Sequence, residues 1–307
     1  MESIIQIIRE SYTGYASYLW QEMTNPGWHN YFYWLLGVSA FFFLLEIGKP
    51  WRTNQPVFRR DFWLDFFYMF FNFFLFSLIA YNAASNVVVH FFNNLLESMG
   101  ITNLVAFNVM QWPVWAHLLL GFLVRDFVQW WTHRLLHTVP WLWEFHKVHH
   151  SVKQMGFAAH LRYHWMETVV YRSIEYLPLA LIGIGLRDFF IIHVFTLAVG
   201  HFNHSNIRVN LGMLKYVFNN PQMHIWHHAK HIPEETPHGV NFGITLSIWD
   251  YLFRTDYMPY EGRDIALGFP GVDQFPKTFV GQNLHGLFKK SGQPQTAQEK
   301  RAVKIKE

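Results

Sequence analysis

Histidine is the residue type whose number and spacing in this sequence point most directly to chemistry. The chain has 19 histidines and no cysteine, so disulfides, thiolate metal sites and a thiol nucleophile are excluded. Two short segments, residues 133–150 and 224–231, contain five and four of these histidines. Because neutral imidazole is the commonest protein ligand for first-row transition metals, this clustering predicts a metal site.

The spacing within the two segments places imidazoles on common helical faces. His133 and His137 are four residues apart, which is about one helical turn. The groups that begin at His146 and His224 each have further histidines at i+3 and i+4. Eight nitrogens exceed what a single zinc ion, usually four-coordinate, can bind. We therefore predict two metal ions side by side, with eight candidate catalytic ligands: His133, His137, His146, His149, His150, His224, His227 and His228.

The rest of the sequence indicates that a membrane protein holds these groups. Charged residues make up 15% of the 307 residues and aromatic residues 19%, whereas an ordinary soluble domain has about 25% charged residues. Residues 27–45, 66–96 and 98–124 contain no charged side chain, and about 20 apolar residues span a bilayer as a helix. We predict an all-α, polytopic membrane helical bundle. A net charge of +3 gives no support for a nucleic-acid partner.

Lysine and arginine positions orient the predicted spans. Residues 49–61 contain four basic residues, and residues 82–111 contain none. The positive-inside bias therefore places the first segment in the cytoplasm and the second outside. Residues 168–203 are predicted to form a hairpin that crosses and returns, with its bend near residues 183–185. The histidine groups then form a helical cap on the cytoplasmic side, at the inner membrane of a bacterium or the endoplasmic reticulum of a eukaryote.

The order of the histidine groups resembles a known pattern. His-x3-His, His-x2-His-His and a second His-x2-His-His, with the hairpin before the last, resemble the fatty acid hydroxylase/sterol desaturase superfamily. The resemblance includes Asn241-Phe242-Gly243 and residues 247–253, and it is greatest to the branch with alkylglycerol monooxygenase and sterol C5-desaturase. Three positions depart from the family pattern. Gly239 stands where Asp is usual, Arg254 where Gly is usual, and Trp165 where Pro is usual.

The resemblance implies an activity and its cofactors. The family's di-iron ligands map onto the eight histidines named above, and His204 lies where the family often has another ligand. Two iron ions would then use O2 to hydroxylate or desaturate an unactivated C–H bond in a lipid, which could be a sterol, a fatty acyl chain or an ether lipid. The sequence has no nucleotide- or haem-binding motif. Electrons would therefore come from an external donor, either cytochrome b5, ferredoxin or a reduced pterin.

Several further residues are candidates to support the ligands. The resemblance makes His164 and His201 candidate ligands or hydrogen-bonding partners of ligands. Polar residues near the groups are candidates to hold imidazole N–H groups or waters; they are Asn241, Glu144, Glu167 and Asp250. Asp126 lies beside Arg125 in an apolar stretch, where an ionised side chain is costly. A local ion pair between these two residues is expected.

The sequence divides into four predicted regions. Residues 1–29 form an interfacial N-terminal segment, and residues 30–112 form the N-terminal membrane spans. The superfamily-like catalytic domain occupies residues 113–258, and residues 259–307 form a C-terminal cytoplasmic tail, frayed from residue 287 onward.

Two other classes of function use histidine in membranes. A zinc or other metal transporter should hold its site near the bilayer midplane on broken helices, whereas these groups lie at the ends of predicted helices. A bis-histidine cytochrome needs only pairs of axial ligands and leaves most of these histidines unused. Both remain alternatives at this point, as do hydroxylation and desaturation.

Overall fold

Helices joined by loops make up the whole of the structure, a computed structural model that describes residues 3–287. Within these residues the β pairing consists of two isolated bridges, Phe218–Leu246 and Ala229–Leu267, so the all-α prediction is confirmed. The helices are α1 (Ile4–Thr24), α2 (Tyr31–Gly48), α3 (Phe62–Phe70), α4 (Asn82–Ser98), α5 (Val114–Thr138), α6 (Pro140–His150), α7 (Trp165–Leu181), α8 (Leu186–His204), α9 (Pro221–His227), α10 (Ile248–Phe253) and α11 (Phe279–Leu284).

Two helical stretches in the described residues are long and apolar enough to cross a membrane. One is α2, and the other runs without a break from Phe62 to Ser98. The second stretch joins α3 to α4 through two π-helical turns, Phe71–Leu75 and Ser77–Tyr81. Each stretch overlaps an uncharged run of the sequence, residues 27–45 and 66–96. Helices α5, α7 and α8 are not among these stretches, and their place in the bilayer stays a prediction.

The predicted hairpin is present in the structure. Helix α7 ends at Leu181, and α8 begins at Leu186. Gly183 between them has a φ of +81°, a backbone conformation that glycine adopts without steric cost. The chain therefore reverses between the two helices, and both pack against α5.

Buried polar groups join α5 to this hairpin and to the loop that precedes α10. Arg125 Nε donates to Glu175 Oε2 at 3.2 Å, and Arg125 Nη1 donates to Thr196 Oγ1 at 2.6 Å. Asp126 accepts from the backbone N–H of Thr245 at 3.2 Å and from Trp249 Nε1 at 2.8 Å. The expected ion pair between Arg125 and Asp126 is therefore wrong. Adjacent residues on a helix point about 100° apart, so each side chain reaches a different element.

A second buried group of charged residues joins α3 to the segment between α6 and α7. Asp65 on α3 accepts from Arg59 Nη1 at 2.5 Å and from Arg162 Nη1 at 3.0 Å, and all three side chains are at most 2% exposed. Arg162 also donates to Ser151 Oγ at 2.9 Å. Charge-assisted hydrogen bonds of this kind are strong and directional. They hold residues 151–162 against α3.

The two ends of the described chain pack against the bundle. Ser11 on α1 accepts from Asn82 Nδ2 at 3.1 Å; the interfacial position of α1 stays a prediction. At the other end, Gly268 N–H donates to His228 O at 2.9 Å, and Asn283 donates to Tyr68 at 2.9 Å. The boundary predicted at residue 259 therefore does not coincide with a break in packing. Residues 288–307, which hold nearly all of the predicted frayed end, lie outside the described residues.

The predicted topology can be tested by cysteine labelling, because the natural chain has no cysteine. Glu97 and Asn54 are both exposed, and they lie in segments predicted to be on opposite sides of the membrane. In intact cells, an impermeant maleimide should label Glu97→Cys before lysis and Asn54→Cys only after lysis. Labelling of both variants from the same side would contradict the predicted orientation.

Candidate metal centre

Nine buried histidines lie together in two adjacent groups. The first group consists of His133, His137, His146, His150 and His227, and the second of His149, His204, His224 and His228. Within each group the candidate ligand nitrogens lie within 4.8 Å of one another. His150 of the first group stacks on His228 of the second, with 4.4 Å between the ring centroids. The structure thus brings together the eight histidines predicted from spacing and His204.

Four helices supply these side chains. The last turns of α5 contribute His133 and His137. Helix α6 contributes its three histidines, and α9 with its C-cap residue contributes three more. His204 is the last residue of α8. Pro140 begins α6 directly after α5 ends, since proline suits the first position of a helix. The tight connection turns the ligands of α6 back toward those of α5.

The protonated nitrogens of four ligands are fixed by backbone oxygens. A carbonyl oxygen can only accept, so the imidazole nitrogen that meets it must carry the hydrogen. Nδ1 of His133 donates to Phe242 O at 2.8 Å, and Nδ1 of His227 donates to Val240 O at 2.8 Å. In the second group, Nδ1 of His149 donates to Arg162 O at 3.0 Å, and Nδ1 of His204 donates to Gly200 O at 2.8 Å.

The opposite nitrogens of these rings therefore present lone pairs to one another. Nε2 of His149 and Nε2 of His204 are 3.3 Å apart, with no hydrogen available to place between them in the neutral rings. Nε2 of His137, of His150 and of His227 are buried and have no hydrogen-bond partner in residues 3–287. Lone pairs turned toward one another repel, and buried polar atoms without partners are costly. A metal cation would remove both costs, so the donor set fits metal ions.

Burial keeps these imidazoles neutral. All nine side chains are at most 9% exposed. Desolvation lowers the pKa of His133 to about 4 and that of His149 to about 3, and it lowers the pKa of the other seven as well. The rings are therefore unprotonated at neutral pH, which is the form that binds a metal.

Glu167 is the carboxylate that contacts a ligand directly. Its Oε2 lies 2.8 Å from Nδ1 of His146, and burial raises the pKa of Glu167 to about 8. Its other oxygen accepts from the backbone N–H of His164 at 3.2 Å. A carboxylate behind a metal-bound imidazole fixes its tautomer and orientation. We assign this orienting role to Glu167.

Three other residues predicted to support the site make their hydrogen bonds to residues outside the two histidine groups. His164 caps α7 by accepting from Met166 N–H, and its Nε2 meets Asn283 O at 2.8 Å, so both of its nitrogens are engaged away from a metal. His201 Nε2 lies 3.0 Å from Ser39 Oγ. Glu144 binds Lys147 and His285, each at 2.9 Å.

Asn241 and Asp250 fix the loop whose carbonyls hold two of the ligands. Asp250 accepts from the N–H groups of Phe242 and Gly243, each at 2.8 Å. Asn241 Nδ2 donates to Met223 O at 2.9 Å, just before α9 presents its histidines. A Cβ on Gly243 would lie 2.5 Å from Leu246 O, so only glycine fits there. The Asn-Phe-Gly element and Asp250 thus position the acceptors of His133 and His227.

His160 also lies at the site, although it is not among the residues predicted from the sequence. Its Nδ1 lies 2.9 Å from Nδ1 of His201, and its ring centroid is 5.3 Å from that of His204. A Cβ on Gly200 would come within 2.1 Å of this ring, so glycine makes room for it. The spacing of four residues to His164 was the available signal. His160 lies in a 3-10 helical turn, Phe157–Leu161, so that spacing does not place the two rings on one α-helical face.

Known proteins similar to this chain are lipid-modifying enzymes by name. Residues 118–255 match the fatty acid hydroxylase family. The chain is 33% identical over 172 residues to ornithine lipid hydroxylase OlsE of Rhizobium tropici, covering 56% of this chain and 50% of that protein. It is 31% identical over 147 residues to alkylglycerol monooxygenase of Xenopus tropicalis, covering 47% of this chain and 30% of that protein. It is also 30% identical over 162 residues to a very-long-chain aldehyde decarbonylase of Oryza sativa subsp. japonica, covering 50% and 52%.

These matches concern part of each protein. The chain spans about half, or less, of the length of these curated relatives. No solved structure matches it. The matched residues 118–255 contain the nine histidines of both groups, together with Glu167, Asn241 and Asp250.

Removal of one ligand from each group should remove metal selectively. We expect about two iron ions per purified wild-type chain, and about one in His227→Ala and in His149→Ala, because each loses a ligand of a different group. Metal content per chain is measured by mass spectrometry of the elements. His231→Ala is the matched control, since His231 is exposed and lies outside both groups. Full metal content in both test variants would contradict the assignment.

Acid should destabilise the metal-free protein at an unusually high pH. Below pH 6.5 the unfolded chain binds protons at its histidines, whereas the folded chain, with these pKa values lowered, does not. The free energy of unfolding therefore falls as the pH drops from about 6.5 toward about 4. We expect the Tm of the chelator-treated protein to fall by roughly 10 °C or more between pH 7 and pH 5. A Tm that stays constant over this interval would contradict the burial of neutral imidazoles.

Proposed function

We propose, from the match of residues 118–255 to the fatty acid hydroxylase family, that the protein is a member of the fatty acid hydroxylase/sterol desaturase superfamily and a membrane oxidoreductase that acts on lipids. It uses O2 to oxidise an unactivated C–H bond of a lipid at a pair of iron ions. The observation that supports this most strongly is the arrangement of lone pairs, since nine imidazoles in two groups direct nitrogens toward shared positions.

The donor set favours iron as the metal. Nitrogen-bound iron that retains an open coordination position activates O2. The first group, with five nitrogens, and the second, with four, leave room for such a position if each ion is six-coordinate. His150 and His228, whose rings are stacked, connect the two groups, so ions held by the two groups would be close enough to share one reaction.

The protein's own groups keep the ligands in the reactive arrangement. The carbonyls of Val240 and Phe242 hold the N–H of His227 and His133, so the other nitrogen of each ring points inward. Glu167 holds His146 in the same sense. Burial of the nine rings excludes water, which protects a reactive oxidant from side reactions.

The substrate we propose is a lipid that reaches the site from the bilayer. The similar proteins named as a hydroxylase of ornithine lipid and a monooxygenase of alkylglycerol favour insertion of oxygen over desaturation. Aromatic side chains of α2 and the π-helical turns, among them Phe42, Tyr31 and Phe73, pack in one apolar cluster, and Phe42 contacts His201, three residues before His204 of the second group. Such a surface accommodates a long apolar chain.

The electrons come from a separate donor, which we propose to be cytochrome b5, a ferredoxin or a reduced pterin. The histidine groups face the cytoplasm in the proposed topology, so a soluble donor has access to them. Metal transport remains the alternative class of function, and it predicts movement of zinc across vesicles rather than a change in any lipid.

Lipid analysis tests the proposed activity directly. We expect the lipids of a host that expresses the chain to gain a species with one added oxygen atom, or with two fewer hydrogen atoms if the enzyme desaturates. His150→Ala should abolish this species, because it removes a ligand of the first group, whereas His231→Ala should leave it unchanged. The measurement is mass spectrometry of total lipid extracts from aerobic cultures. Zinc flux that survives His150→Ala, with unchanged lipids, would support transport instead.

A further inference from the structure

Arg172 is a positive charge on α7 without a negative partner. Its guanidinium lies 4.7 Å from the ring centroid of Tyr81 and 5.6 Å from that of Phe73. Within residues 3–287 it has neither a salt bridge nor a hydrogen bond, and its contacts are with aromatic rings. An unpaired ionised side chain in a predicted membrane span is costly and usually has a functional partner.

Arg172 is half-buried, whereas the three arginines that are fully buried within residues 3–287 are all paired. Arg125 binds Glu175 at 3.2 Å, and Arg59 and Arg162 share Asp65. Arg125 Nη2 lies 3.1 Å from Nδ1 of His193 on α8. Phe73, which contacts the guanidinium of Arg172, also stacks on the ring of His193, with 5.9 Å between the centroids. The two guanidiniums therefore lie on opposite sides of the same aromatic pair, and within residues 3–287 only that of Arg125 has a carboxylate partner.

Polar groups without partners lie on the helices around this charge. Thr168 is one turn before Arg172 on the same face of α7; it is 5% exposed, and its hydroxyl has no hydrogen-bond partner in the described residues. Gln129 Oε1 on α5 and His193 Nε2 on α8 are also buried without partners there. Buried polar atoms in native proteins are almost always hydrogen-bonded, so these atoms indicate a bound polar group.

The position of Arg172 relates this region to the metal centre. Arg172 follows Glu167 by five residues on α7, which is about 7.5 Å along the helix axis. Glu167 in turn contacts the ligand His146. A lipid whose polar end meets Arg172 would therefore place the carbons nearest that end within reach of the histidine groups.

We propose that Arg172, together with Thr168, binds an oxyanion of the lipid substrate, either a carboxylate or a phosphate. This proposal rests on the proposed function, because it takes the ligand to be the lipid that is oxidised. A guanidinium matches both oxyanions by donating two parallel hydrogen bonds. The rings of Tyr81 and Phe73 hold the guanidinium in place, and the threonine hydroxyl donates a further hydrogen bond to the same group.

The test measures binding by the full-length protein in a neutral maltoside detergent, without iron or O2. The probes share one apolar chain and differ in the polar end: oleic acid, its methyl ester and oleyl phosphate. We expect the wild type to bind at least one anionic probe about tenfold or more tightly than the ester. The anion that binds more tightly identifies the source of the oxyanion. Arg172→Gln should abolish this preference, and Arg172→Lys should keep only part of it.

Arg187→Gln is the matched control, because Arg187 is exposed at the start of the neighbouring helix α8, and this variant should keep the full preference. An undiminished preference in a folded Arg172→Gln would overturn the proposal. So would a wild type that binds the ester as well as both anions, and this result can be read even if Arg172→Gln does not fold. Anion binding without any lipid oxidation would refute only the proposed function. Oxidation of lipid by a chain without anion preference would refute only this inference.

Discussion

The structure depends on the burial of nine imidazoles whose lone pairs face one another. An imidazole exposed to water pays no desolvation free energy, but these rings are at most 9% exposed. Four of them donate their N–H to backbone carbonyls. The inward nitrogens of these four rings present lone pairs and have no hydrogen to donate. A metal cation would satisfy such an arrangement at neutral pH, and we propose that the fold around it holds metal ions.

The supporting structure consists of loops that carry the acceptor carbonyls, and buried carboxylates fix those loops. Asp250 and Asp126 bind N–H groups of the chain between Phe242 and Leu246, and Asp65 holds Arg162, whose carbonyl receives His149. Asp250 and Asp65 thus orient a histidine indirectly, because each fixes the residue whose backbone carbonyl accepts from that histidine. Because these contacts are directional, a displacement of the loop would turn the imidazole and move its inward nitrogen.

The sequence predicted the parts of this arrangement that depend on local spacing. Eight of the nine clustered histidines followed from i, i+3 and i+4 spacing, and the hairpin bend followed from residues 183–185. The carbonyl acceptors, the pairing of Arg125 with Glu175 and the position of His160 depend on contacts between residues distant in the chain, which periodicity does not encode. The structure explains one of the residues that depart from the resemblance. Gly239 has a φ of 114°, and a Cβ there would lie 3.0 Å from Nδ1 of His137. Arg254 has a left-handed backbone with a φ of 55°, and nothing in the structure explains why arginine stands there.

The proposed di-iron centre is tested most directly by locating the metal ions in the iron-loaded protein with anomalous X-ray diffraction at the iron edge. The proposal predicts two iron peaks, one among the nitrogens of His133, His137, His146, His150 and His227, the other among those of His149, His204, His224 and His228. A single peak, or iron bound away from these two groups, would contradict it.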